Sequence, residues 1–264
     1  MKKTLIAVIT LVTLQGCTPF KPALSEGNTT NFEELSVKGR QGILINQKLE
    51  FGNFQTSKVK RSWTKGGNSR TGISKGVPGD VFYENIISKE FINRNQTFYF
   101  QLKDNENRIS DVYAASAFNS ANLLIGNNPN SIINVFEDII NIENNTESLF
   151  YLQVFINNET KPWQLILDNQ ASQLHADNYT GVFALDENKY YTLKPITKVA
   201  SKNGHRSIMF GSVGYEIFDA NKKSVAAVSL MDRGMVFLKT TDSNEKFLLS
   251  NLCSALLLQE QIEN

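Results

Sequence analysis

Short runs of alternating apolar and polar residues, each bounded by Asn, Asp, Gly or Ser, recur along the chain from about Gly39 onward. Residues 43–45 and 49–51 flank Asn46-Gln47 and predict two strands around a turn. Val59-Lys60-Arg61-Ser62-Trp63 predicts another strand, with Lys58, Lys60 and Ser62 on one face and Val59, Arg61 and Trp63 on the other. The pattern continues through 81–87, 96–102, 149–156, 163–167, 179–185, 190–196, 213–218, 225–230 and 235–238. An aromatic residue opens and an Asp closes the runs from Phe100 to Asp104, Trp163 to Asp168 and Tyr215 to Asp219. Each predicts a hairpin turned after its Asp. Residues 111–125, diluted by Ala and Asn, fit neither period well.

Two stretches break the alternation. Ile132, Ile133, Phe136, Ile139 and Ile140 fall at helical spacing and predict a helix over 131–142. Near the C-terminus, Asp242 and Glu245 have capping-box spacing ahead of an apolar run over 247–258. That run is apolar almost all round, so a helix there needs burial on most of its faces. Its shortness, with Ser250, Asn251 and Ser254 inside it, excludes a membrane span. Its place is inside a sheet or in a groove between sheets. The fold class expected is mainly β with minor α+β character: an antiparallel barrel or sandwich of about a dozen strands with a buried C-terminal apolar helix.

The first residues have a different layout. Lys2 and Lys3 precede an apolar run to Leu14, which is about half the ~20 residues a spanning helix takes. Leu14-Gln15-Gly16-Cys17 follows. This resembles the lipobox of bacterial lipoproteins, with Gln15 where that family prefers a small or β-branched residue. The resemblance covers the first 17 residues. It implies that 1–16 is a signal peptide and that the Cys17 thiol takes a diacylglyceryl group, whose paired acyl chains anchor the protein stably. Residues 17–38, with Pro19, Pro22 and Gly27, read as lipidated Cys and tether, and 39–264 as the β-rich domain. Thr18 stands where an Asp would resemble an inner-membrane retention signal, which implies the outer membrane in a host with two.

Composition narrows the chemistry. Losing Lys2 and Lys3 with the signal turns a formal charge of +1 into −1, which argues against nucleic acid as a partner. Cys17 spent on lipid leaves Cys253 alone, so no internal disulfide forms. The two histidines, His175 and His205, lack Cys or His companions at metal-ligand spacing. No cofactor or metal is expected.

The strands at 213–218, 225–230 and 235–238, ending in one greasy helix, resemble the tubby-like fold, in which a closed antiparallel barrel wraps a C-terminal helix. That resemblance covers mainly the last 50 residues. It implies affinity for phospholipid head groups. The helix predicted over 131–142 does not match it.

Candidate chemistry is sparse. Gly72-Ile73-Ser74-Lys75-Gly76 matches the G-x-S-x-G of serine hydrolases, but Val77-Pro78-Gly79 follows where the elbow's helix should start, so Ser74 is rejected as a nucleophile. Lys58, Lys60, Arg61, Lys65, Arg70 and Lys75 form a basic run with no acid between Glu50 and Asp80. It is a candidate anion-binding patch, or alternatively a charged edge strand that resists aggregation. The leading expectation is a lipid-anchored envelope protein with a non-catalytic binding domain for a protein or anionic-lipid partner. The alternative is a carboxylate-dependent hydrolase of envelope polymers drawing on Glu84, Glu90, Asp104, Glu106 and Asp111.

Overall fold

The alternation builds an antiparallel sheet. The computed structural model describes residues 21–25, 31–40, 46–62, 96–118, 149–201, 204–209 and 211–259. In chain order the strands are β1 (Glu33–Ser36), β2 (Glu50–Phe51), β3 (Phe54–Thr56), β4 (Lys60–Ser62), β5 (Gln96–Lys103), β6 (Ile109–Phe118), β7 (Leu149–Ile156) and β8 (Trp163–Asp168). A short helix α1 (Asn169–Leu174) precedes β9 (Gly181–Asp186), β10 (Lys189–Pro195), β11 (Lys198–Ser201) and β12 (Gly204–Ser207). Then come β13 (Gly214–Phe218), β14 (Ser224–Ser229), β15 (Met235–Leu238) and the long helix α2 (Ser243–Leu258).

Among the described residues, thirteen strands form one sheet in the order β1-β15-β14-β13-β10-β9-β8-β7-β6-β5-β3-β2, with β4 also on β5. The sheet curls into a nearly closed barrel. Just beyond β1, Lys38 and Glu50 exchange backbone hydrogen bonds of 2.9 and 3.1 Å, which joins the two edges of the path. Closure leaves few strand edges for another chain to pair with. β11 and β12 stand apart as a two-stranded flap.

Alternate side chains point inward, and α2 fills the space they enclose. Phe100, Leu152, Phe183 and Ile217 pack in one core with Phe247 and Leu252, all of them 0% exposed. Every residue from Phe247 to Leu258 is buried, as the all-round apolar pattern requires. Outward-facing Ala227 and Phe237 meet Leu24, Phe32 and Ile196 in a second cluster on the outside of the wall.

Both helix ends are tied to the barrel. Asp242 is the N-cap and accepts the amide of Glu245 at 2.7 Å. The reciprocal half of the capping box does not form. The Glu245 carboxylate instead accepts the Tyr191 hydroxyl at 2.8 Å and the Thr240 hydroxyl. Polar residues within the buried helix need their own partners. Asn251 donates Nδ2 to Phe247 O and accepts Ser110 Oγ from β6.

Several expectations change. Residues 109–118 are a strand, because pairing on both sides with β5 and β7 outweighs the weak strand preference of Ala114 and Ala115. Asp104 and Asp219 do close hairpins, but Asp168 accepts the Ala171 amide at 2.8 Å and caps α1. The barrel begins with β1, ahead of Gly39, and residues 21–25 of the expected tether are already packed. The signal segment, Cys17, the strands expected at 43–45 and 81–87, the motif at 72–76 and the helix expected over 131–142 lie outside the described residues.

Candidate functional site

The basic run divides by face. Val59 is buried in the core while Lys58 and Lys60 are exposed, with Lys60 Nζ 5.6 Å from the centre of the Tyr99 ring. Arg61 belongs to the inner side. Its Nη2 donates to Leu258 O at 2.8 Å and to Gln47 Oε1 at 3.0 Å, and its guanidinium lies 5.1 Å from the centre of the Phe98 ring. The last carbonyls of a helix have no partner within it, and they carry the negative end of its dipole. A guanidinium placed there answers both needs. Arg61 is therefore a helix-capping residue whose charge is committed to α2. Lys65, Arg70 and Lys75 lie outside the described residues.

Arg40 does the same work beside it. Nε donates to Leu257 O at 2.9 Å, and Nη1 donates to Leu230 O at 2.6 Å. Burial lowers its pKa from the usual arginine value. No local sequence signal marks Arg40, because its partner Leu257 lies 217 residues away.

Two of the acids reserved for a hydrolase, Asp104 and Asp111, are engaged elsewhere. Asp104 has no exposed side-chain surface. It accepts the amides of Glu106 and Arg108 at 2.9 and 3.1 Å and the Arg108 Nε at 2.6 Å. Arg108 then reaches Ser243 Oγ at 2.9 Å and lies 5.3 Å from the centre of the Phe247 ring, so this hairpin end closes over the start of α2. Asp111, on the outer face of β6, accepts the Tyr99 hydroxyl at 2.7 Å and Gln101 Nε2 at 3.0 Å. Glu106 is largely exposed and 3.4 Å from Arg108. Glu84 and Glu90 lie outside the described residues.

Cys253 is buried in the core, where desolvation pushes its thiol pKa up and leaves it inert. His175 and His205 are exposed. Among the described residues, no group of three or more His, Cys, Asp or Glu is placed to hold a metal ion, and no helix is long and apolar enough to cross a membrane.

The flap is a further feature that the alternation did not predict. Residues 21–23 pair with β11: Ala23 donates to Lys198 O at 2.9 Å, Ala200 donates to Lys21 O at 2.7 Å, and Pro22 faces Val199. Ser25 fixes the next turn of chain, donating its amide and its hydroxyl to the buried Glu216 carboxylate, each at 2.9 Å. Lys21 forms a 2.6 Å ion pair with Glu34.

The class these observations define is a nearly closed antiparallel barrel around a buried C-terminal helix. Comparison with protein families, with curated proteins and with solved structures finds no match for the chain.

Proposed function

We propose that this chain is a lipid-anchored extracytoplasmic protein, held at the outer membrane of a two-membrane host through Cys17, whose barrel is a non-catalytic scaffold binding a protein or an anionic lipid. The observation that carries the reading is the engagement of Asp104 and Asp111 by Arg108 and Tyr99. A glycosidase needs two carboxylates facing one cleft, one of them free to give a proton. Among the described residues, Asp104 holds a turn together and Asp111 a strand face. The helix also fills the barrel where a substrate cavity could otherwise lie. A barrel wound around its C-terminal helix supports placing the protein beside the tubby-like group, and with it an anionic head group as ligand.

Lys58 and Lys60, exposed side by side in sequence, are the described part of the anion-binding patch; Lys65, Arg70 and Lys75 complete it in this reading. The test uses the full chain made in a bacterial host. Fractionation with mass analysis of the N-terminal peptide reads the anchor, which Cys17→Ser abolishes. Flotation of that variant, freed of residues 1–16, against neutral and anionic vesicles reads the patch. Binding to anionic vesicles alone, fading with salt and with Lys58→Ala/Lys60→Ala, supports the lipid partner. Failure to bind either vesicle turns the search to a protein partner.

A further inference from the structure

The tether leaves the barrel in a fixed direction. In the flap, Ala23 lies opposite Lys198 at the base of the hairpin, and Lys21 lies opposite Ala200, nearer its tip between Ser201 and Gly204. Followed backwards, the chain therefore runs out along the flap toward that tip. Leu24, 3% exposed, and the Ser25–Glu216 bonds pin the segment to the barrel wall. Cys17 lies four residues before Lys21. Four residues reach at most about 14 Å even fully extended. A lipid on Cys17 thus holds the leaflet within roughly that distance of the flap.

This end of the molecule carries what a leaflet accepts. Met209 is 88% exposed and Leu174 is 68% exposed. Both sit at the base of the flap. Ile208 donates its amide to Thr197 O at 2.9 Å, and Gln173 accepts the Ser212 amide at 2.9 Å, tying the end of α1 to the loop that holds Met209. Lys198 and Arg206 are exposed on the flap. His205 shares a face with Lys198 by register, and the exposed Asp177 stands beside the base, accepting Thr197 Oγ1 at 3.5 Å.

We infer that this end of the barrel lies against the leaflet holding the Cys17 lipid, with Met209 and Leu174 among the head groups and Lys198 and Arg206, on the two faces of the flap, reaching to their phosphates. The inference rests on the lipid-anchor reading above. It orients the whole domain. Leu230 and Arg40 connect the flap's end to the C-terminal carbonyls of α2, so that end of the helix faces the membrane. The turns that start at Asp104 and Asp219 close the opposite end and face away.

The chain suits a direct test, since Cys253 is buried and Cys17 is consumed by lipid, leaving an introduced surface cysteine as the labelled position. Full-length Met209→Cys, Leu174→Cys and, as the far-end control, Asn221→Cys are made in a bacterial host. Each is labelled with an environment-sensitive fluorophore and reconstituted in phosphatidylethanolamine–phosphatidylglycerol vesicles doped with a head-group quencher. The labels at 209 and 174 shift to the blue and lose most of their emission to the quencher, while the label at 221 loses little. Equal, weak quenching at all three positions, with a diacyl mass on the Cys17 peptide, overturns the orientation and leaves the anchor standing. A Cys17 peptide without lipid overturns the anchor and this inference together.

Discussion

Arg61 Nη2 donates to the carbonyl oxygen of Leu258 across 2.8 Å, joining a short edge strand to the last turn of a buried helix 197 residues away. The bond draws one member of a basic run partly out of the solvent and ties it to the barrel's internal structure. It also separates two roles that the sequence presents together, surface cation and helix cap.

Arg61→Met should therefore lower stability, while its neighbours should not. Removing the guanidinium leaves a buried carbonyl without its donor, a loss of about 1–3 kcal/mol. Lys58→Ala and Lys60→Ala, both exposed, should stay within about 0.5 kcal/mol of the parent. Urea midpoints at constant slope give the comparison. Equal small effects at 58, 60 and 61 would remove Arg61 from the helix cap.

Hydroxyls inside the barrel should respond with opposite signs. Ser110 Oγ donates to Asn251 Oδ1, so Ser110→Ala strips a buried acceptor and should cost about 1–3 kcal/mol. Ser250 and Ser254 have buried hydroxyls with no hydrogen-bond partner among the described residues. Ala at either position removes that desolvation cost and is a better helix former, so each change should raise stability, by about 1 kcal/mol. The same urea titrations show the signs.

Closure of the barrel depends on one backbone position. Gly39 has φ +82°, and a Cβ there would sit 1.8 Å from Lys48 O, beside the Lys38–Glu50 bridge. Gly39→Ala should cost well over ~1 kcal/mol, because strain at positive φ adds to a clash with backbone that cannot move without opening the seam. Hydrogen exchange at the Lys38 and Glu50 amides should quicken. Unchanged exchange at both would mean that the seam tolerates the side chain.

High pH should unfold the barrel cooperatively. Burial, the largest cause, raises the phenol pKa of Tyr99, Tyr113, Tyr191 and Tyr215 above the ordinary 10.0. The folded state thus holds protons that the unfolded chain releases. Their contribution is fully present below about pH 10 and is lost as pH rises from there toward the folded values. Phenolate absorbance should appear together with loss of circular dichroism. Smooth titration near pH 10 with the fold intact would show the rings to be open to solvent.

Much of the architecture was legible because period and burial are local properties. Strand 235–238 coincides with β15, the run at 149–156 with β7, and the greasy 247–258 with the buried part of α2. Elements that depend on a distant partner were harder to read. Residues 33–36 have little pattern of their own and are strand because β15 lies beside them. The flap needed residues 21–23, and Asp168 became a helix cap because the chain turns into α1 before β9. Of the candidate anion site, the solvent face of Lys58 and Lys60 was readable from alternation, whereas the engagement of Arg61 was not.

By itself the sequence determined a β-rich domain with a C-terminal helix that had to be enclosed, since a helix apolar on most of its faces needs burial on most of them. The tertiary structure alone decided that the enclosure is a nearly closed barrel and not a sandwich. Closure rests on the Lys38–Glu50 bridge and on Arg40 and Arg61 meeting Leu257 and Leu258. Those pairs arise from packing residues far apart in the chain, and residue spacing along the chain does not encode them.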